Sequence, residues 1–233
     1  MGARRAKSII HFLDLGSGPM AERGFRHAQQ HEEHKVVSVD KERSPMVLVD
    51  GRGRLIGQRN HRFVEADVFE YLERRKPDSV EVANDDFFLD ELLLRHGGEA
   101  ITQAREGALV PHIASQVRGK MGEYAGAVRR VLTPGGRVSI MLQGFYKAAL
   151  AEELRRRGFE VSERMLTQDE IVDGDSNSAR RALRDFDKLK LKYSKPRGLR
   201  MLAPALGHPA EVPADVLAST FLISARKPGG KRE

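Results

Sequence analysis

The sequence predicts an α/β protein whose sheet is built from strand–helix–strand units. Three observations predict it. Residues 8–40 pass from an apolar run, through two closely spaced glycines and a helical pattern, into a second apolar run. Short apolar runs recur at 62–68, 79–83, 136–142, 159–166 and 219–225, with helical patterns between several of them. The helical pattern of 122–132 stops at Thr133-Pro134-Gly135-Gly136, a proline–glycine terminator placed directly before one of those runs.

The first unit reads most clearly. Its opening strand ends at the acid Asp14, and Gly16 and Gly18 follow. Glycines there let the backbone turn sharply and approach a ligand where a Cβ would collide. A helix starting near Pro19 or Ala21 points its first N–H groups at the same spot. The second strand ends at Asp40, a carboxylate placed to accept from both hydroxyls of a ribose. Charge-assisted hydrogen bonds of that kind contribute roughly 1.5–3 kcal/mol each. The spacing Gly16-x-Gly18-x-x-Ala21 also satisfies the dinucleotide pattern, so NAD is one of two cofactors that suit the unit.

Residues 41–59 hold two apolar runs about Asp50-Gly51, a hairpin pattern, although a parallel neighbour of the second strand requires a longer crossover. Arg62–Val68 reads as a third strand ending in Ala66-Asp67. Asp67 is placed to cap the helix that begins at Phe69, or to face a ligand, or both. Ser79–Ala83 is a fourth strand and runs into Asn84-Asp85-Asp86-Phe87-Phe88. Ligands of open α/β sheets lie beyond the carboxyl ends of the strands. Asn84 and Asp85 are therefore candidates to orient or deprotonate an acceptor, against a competing reading as loop solvation and capping of the next helix.

Residues 97–120 read as a connection broken at Gly97-Gly98 and Pro111. Gly122–Leu132 is an amphipathic helix with Tyr124, Val128, Val131 and Leu132 on one face. Gly136–Leu142 is a fifth strand, Phe145–Arg157 a helix ended by Gly158, and Phe159–Leu166 and Ser219–Ala225 a sixth and a seventh strand.

Composition narrows the classes. A chain of 233 residues with 40% hydrophobic and 31% charged residues holds a full core and is globular. The absence of cysteine excludes a disulfide framework and a thiolate zinc site, and is compatible with the cytoplasm. No apolar run reaches the length of a membrane span, and the basic N-terminus lacks the apolar segment of a signal peptide. Ala6 removes the myristoylation pattern at Gly2. A net charge of +7 favours polyanionic partners, against the alternative of a solvated, arginine-rich surface.

Asp14-Leu15-Gly16-Ser17-Gly18-Pro19 resembles motif I of the class I S-adenosylmethionine-dependent methyltransferases. A second stretch, Arg129-Arg130-Val131-Leu132-Thr133-Pro134-Gly135-Gly136-Arg137-Val138-Ser139-Ile140, resembles their approach to strand five and has no counterpart in the NAD fingerprint. The resemblance implies a Rossmann-like, seven-stranded, mostly parallel sheet with helices on both faces. It implies a last strand inserted antiparallel between strands five and six. One domain would span 1–233, with its core at about 8–167 and 216–228 and an insertion at about 168–215. The cofactor implied is S-adenosyl-L-methionine. Asp14, Gly16 and Gly18 would shape the turn beneath it, Asp40 would hold the ribose, Asp67 with Val68 the adenine, and Ser17 and Lys41 are further cofactor-binding candidates. Three departures stand out. Met20 occupies the place of a frequent third glycine, 41–59 read as a hairpin where the family has a helix, and the D/N-P-P-Y/F signature of amino-group methylases is absent at Asn84.

The insertion bears on the acceptor. Asn177 or Ser178 would cap a helix with apolar Leu183, Phe186 and Leu189. Arg180, Arg181, Arg184 and Lys192, with Tyr193 interleaved, suit contact with an RNA backbone. The expected acceptor is accordingly RNA, tRNA or rRNA. The alternative is a small molecule beneath the insertion as a lid. An NAD oxidoreductase, or a cofactor-binding protein without catalysis, is the reading from another class. Oligomeric state is not set by the sequence. His27, His31 and His34 fall near one another and read as a solvated cluster, with no metal expected.

Overall fold

The computed structural model describes residues 9–86, 88–89, 92–93, 110–167, 203–209, 212, 216 and 219–229. In chain order the elements are β1 (Ile10–Leu15), α1 (Glu22–Gln30), β2 (Val36–Asp40), β3 (His61–Glu65), α2 (Val68–Arg74) and β4 (Val80–Asp86). There follow α3 (Val110–Val131), β5 (Leu132–Gln143), α4 (Gly144–Arg156), β6 (Glu160–Met165) and β7 (Thr220–Arg226).

The strands form one seven-stranded sheet in the order β3-β2-β1-β4-β5-β7-β6. β1, β2 and β3 are parallel, with Asp14 beside Ser38 and Asp40 beside Glu65. β7 runs antiparallel to β5. Gly144 N donates to Ser219 O at 2.7 Å, whereas Gly135 N donates to Lys227 O at 2.9 Å, so the partner number rises as β5 is followed backwards. On its other side Leu166 N donates to Thr220 O at 2.9 Å, which sets β6 beside β7. The seventh strand thus lies between the fifth and the sixth, as the resemblance implies.

Burial follows from position in the sheet. Val36, Val37, Ser38 and Val39 are all buried, the continuous pattern of a strand covered on both faces. β6, at the sheet edge, is mostly exposed and carries Glu160, Glu163 and Arg164, charges that discourage pairing with another chain.

Two compact units are formed. One comprises Met1–Asn84, Ala127–Val138 and Arg226–Glu233, and the other Asp85–Gly126 and Ser139–Ala225. The first is built on Ile10, Leu13, Leu15, Val36 and Leu72, all buried. The second is built on Leu89, Met121, Tyr124, Ile140 and Leu150.

Three expectations change. β5 starts at Leu132, so Thr133-Pro134-Gly135-Gly136 lie inside that strand instead of forming a break before it. α3 starts at Val110, so Pro111 is not a break but a first-turn residue, where a missing N–H leaves no bond unmade. Residues 41–59 form neither a helix nor two strands. Isolated antiparallel bridges join Val49 to Leu55 and Arg54 to Arg62. Asp50 closes the turn between them, its Oδ1 accepting from Arg52 N at 2.8 Å and Arg54 N at 3.0 Å. Val47 and Leu55 pack with Ala21 and Phe63, which fastens this segment to the glycine turn.

Candidate cofactor site

The turn after β1 is defined by its dihedrals. Gly16 has φ 61° and Gly18 φ 69°, left-handed values that glycine adopts without a Cβ penalty. Ala21, at φ 50°, holds the same region without that freedom, at a cost of about 1 kcal/mol, and has no accessible surface. The turn is tied on several sides. Ser17 N donates to Val39 O at 3.1 Å, Ala21 N to Gly18 O at 3.2 Å, and Ser44 N to Pro19 O at 2.9 Å.

Asp40 closes the arrangement. Its Oδ2 accepts from Gly18 N at 2.9 Å and its Oδ1 from Glu42 N at 3.1 Å. Two backbone amides, one on each oxygen, thus orient the carboxylate. Lys41 turns to Asp67, with Nζ 3.2 Å from Oδ2. Asp67 Oδ1 caps α2, accepting from Phe69 N at 2.9 Å and Glu70 N at 3.3 Å. Partial burial opposes the charge on Asp67, but the Lys41 ammonium and those two amides prevail and hold its carboxyl below the usual range. Val68, next in the chain, is buried. The capping reading of Asp67 is therefore realised, and the residue before it, Ala66, donates its N–H to Asp40 O at 2.8 Å.

Asp14 faces the protein interior. It is 2% exposed, and its Oδ2 accepts from Gly24 N at 3.2 Å and from Ser38 Oγ at 3.4 Å. One first-turn N–H of α1 is thus engaged by Asp14 rather than left to meet a ligand. Ser38 Oγ also lies 2.9 Å from His61 Nε2. Because the Ser38 proton is directed at Asp14, the His61 ring donates from Nε2, a tautomer assigned from the network. Burial lowers the His61 pKa to about 4, so the ring is neutral. Gly24 is required here, since a Cβ would lie 2.9 Å from His61 Nε2 and would collide with Ser38 Oγ. Gly24, Ser38 and His61 were not singled out from the sequence. The only signals were a serine inside Val-Val-Ser-Val and a glycine inside a helix.

Asn84 and Asp85 have different surroundings. Asn84 is 4% exposed, and its Oδ1 accepts from Arg23 Nη1 at 2.9 Å. Its Nδ2 is buried with no partner among the described residues. A buried, unmet amide donor costs about 1–3 kcal/mol and is a fitting place for a ligand acceptor. It stands at the end of β4, next to β1, where the strand order reverses and ligands of such sheets bind. Arg23 was not foreseen. Asp85 is fully buried, and its Oδ1 accepts from Phe88 N at 2.9 Å and Leu89 N at 3.4 Å. That is the capping arrangement. Burial pushes its pKa up to about 7, against the Tyr124 hydroxyl and the two amides, which favour the charge. Arg180, Arg181, Arg184, Lys192 and Tyr193, with the helix expected to carry several of them, lie outside the described residues.

No protein family model matches the sequence, and no curated protein does. Solved structures do match. The antibiotic-resistance methyltransferase Kmr aligns with a TM-score of 0.51 at 16% identity, over 97% of this chain and 90% of that one. The 16S rRNA methyltransferase KamB aligns at 0.51 and 15% identity, over 96% and 91%. An antibiotic-related methyltransferase aligns at 0.50 and 15%, over 94% and 89%. At such identities the likeness is one of fold. The chain has the Rossmann-like fold of the class I S-adenosylmethionine-dependent methyltransferases, with the seventh strand in its place between the fifth and the sixth.

Proposed function

We propose that this protein transfers a methyl group from S-adenosyl-L-methionine to RNA, a tRNA or an rRNA. The observation that carries the cofactor assignment is the Asp40 carboxylate, held by Gly18 N at the ends of adjoining parallel strands. The cofactor supplies a sulfonium methyl for in-line displacement. The chain then has mainly to bind and align, which can supply several kcal/mol. Gly16, Ser17 and Gly18 would form the floor, Asp40 would accept from the ribose hydroxyls, and Asp67 with Val68 would border the adenine. Lys41 would hold Asp67 in that position. Asn84 Nδ2 would donate to an acceptor group, with Arg23 fixing the amide by its bond to Oδ1. Asp14 would support the turn from beneath.

The RNA half rests on other grounds. The net charge is +7, and the insertion carries Arg180, Arg181, Arg184 and Lys192. KamB, of the same fold, is described as a 16S rRNA methyltransferase. Among the described residues no helix is long and apolar enough to cross a membrane. Calorimetry with S-adenosylmethionine, S-adenosylhomocysteine and NAD tests the cofactor, and binding of NAD alone would overturn the assignment. Incubation with a labelled methyl donor and fractionated cell extract tests the acceptor. Label is expected in RNA; label confined to metabolites would replace RNA with a small molecule under the insertion.

A further inference from the structure

α1 runs from the turn after β1 to a cluster of histidines. It starts at the glycine turn, and about 13 Å later, at 1.5 Å per residue, it ends among four histidines. His31 and His34 stack with centroids 4.7 Å apart, His27 lies 5.2 Å from His34, and His11 of β1 lies 5.1 Å from His34 with the rings nearly parallel. Glu33 sits beside them. Its Oε1 is 3.3 Å from His34 Nε2 and 4.0 Å from His31 Nδ1, and each of the three residues offers a ligand atom within 4.8 Å of the others'.

We propose that His31, Glu33 and His34 form a binding site for a divalent transition metal ion of the zinc class. Two imidazoles and one carboxylate are a borderline-soft set that suits zinc, nickel or cobalt and leaves a position for water. Tetrahedral bonds of about 2.0–2.1 Å put neighbouring ligand atoms roughly 3.3–3.5 Å apart. Glu33 and His34 already stand at that separation. His31 has to draw in, and as a half-exposed residue closing the helix it has room to do so.

The supporting groups are in place. His34 Nδ1 lies 2.9 Å from His27 Nε2, which leaves Nε2 as the outward ligand atom. His27 is held by stacking on Phe12 at 4.1 Å, and His11 by the Lys35 N bond to its Nδ1 at 2.9 Å. The backbone carrying the ligands is fixed as well. Asn60 Nδ2 donates to Ala28 O at 3.0 Å, His31 O at 3.0 Å and His34 O at 3.1 Å. Outer partners of this kind orient ligands and raise affinity. A freely solvated histidine cluster has no need of them. The ion would tie the end of α1 to the turn that enters β2, a structural role remote from the glycine turn.

The test uses untagged, full-length protein at neutral pH, titrated with zinc chloride and with cobalt chloride. One ion per chain is expected, with visible cobalt absorption of a four- or five-coordinate site and a rise in melting temperature. His31→Asn with His34→Asn should abolish binding, and Glu33→Gln should weaken it at least tenfold. His27→Gln, which touches no ion, should weaken it about 10- to 100-fold. S-adenosylhomocysteine affinity should be unchanged in all three variants, which separates this site from the cofactor assignment. Absence of saturable binding, or equal affinity in the His31→Asn/His34→Asn double variant, overturns the proposal.

Discussion

The Gly18 backbone N–H donates to the Asp40 carboxylate at 2.9 Å, which joins the turn after β1 to the acid that ends β2. With its other oxygen on Glu42 N, Asp40 is oriented before any ligand arrives. A pre-oriented carboxylate loses little side-chain freedom on binding, so bonds from Asp40 to a ribose would count nearly in full.

Asp40→Ala should therefore weaken S-adenosylhomocysteine binding strongly. Loss of even one charge-assisted bond costs roughly 1.5–3 kcal/mol, about a 10- to 100-fold rise in Kd. Calorimetry reads this directly. A melting curve on the same sample shows whether the turn has loosened. An unaltered Kd would remove Asp40 from the ribose.

Gly24→Ala should destabilise the fold although alanine is the better helix former. Its Cβ would meet His61 Nε2 at 2.9 Å as well as Ser38 Oγ, and neither group is a flexible chain end. Overpacking of this kind costs about 1–3 kcal/mol. Urea denaturation of the variant checks it, and equal or greater stability would show that the Asp14–Ser38–His61 network yields easily.

His61 gives a signed pH dependence. Its folded pKa is lowered by burial from 6.5 to about 4. Between those values the unfolded chain binds the extra proton and the folded chain does not. Stability from this group is therefore complete above pH 6.5 and declines as pH falls toward 4, by about 3 kcal/mol at most. His61→Gln keeps an amide donor and cannot titrate. The difference in stability between the parent and this variant should shrink on acidification across that window; a constant difference would refute the buried neutral histidine.

The parts that were legible in the sequence depend on local pattern. Apolar runs gave the strands, Gly16, Gly18 and Asp40 gave the turn and its acid by type and spacing, and Asp67 gave its cap. The parts that were not legible depend on distant pairings. Asp14 meets Ser38 and Gly24, and Arg23 meets Asn84 across 61 residues, contacts that exist only once α1 is laid on the sheet. Pro111 was ambiguous in itself, because proline both interrupts a helix interior and opens a first turn. The hairpin pattern at 41–59 was misleading in degree. A turn does begin at Asp50, but it runs on to Arg54 with its left-handed residue at Gly53, and the apolar Val47 and Leu55 pack on Ala21 instead of pairing along two strands.

Asn84 and Asp85 are adjacent in sequence and should separate in function. Asp85 bonds Phe88 N and Leu89 N, and burial raises its folded pKa from 3.8 to about 7. The folded state holds its proton longer than the unfolded state does, so the cost of charging Asp85 is complete above pH 7 and vanishes as pH falls toward 3.8. Asp85→Asn retains a good helix cap and removes that charge. It should be more stable than the parent above pH 7 by about 1 kcal/mol or more, with the gain lost near pH 4. It should also retain methyl transfer. Asn84→Ala, by contrast, removes the buried donor and the partner of Arg23. It should lower the transfer rate roughly 100-fold through misalignment, with binding of S-adenosylhomocysteine less affected. If Asp85→Asn is well folded yet abolishes transfer while Asn84→Ala does not, Asp85 is the group that acts on the acceptor and the assignment reverses.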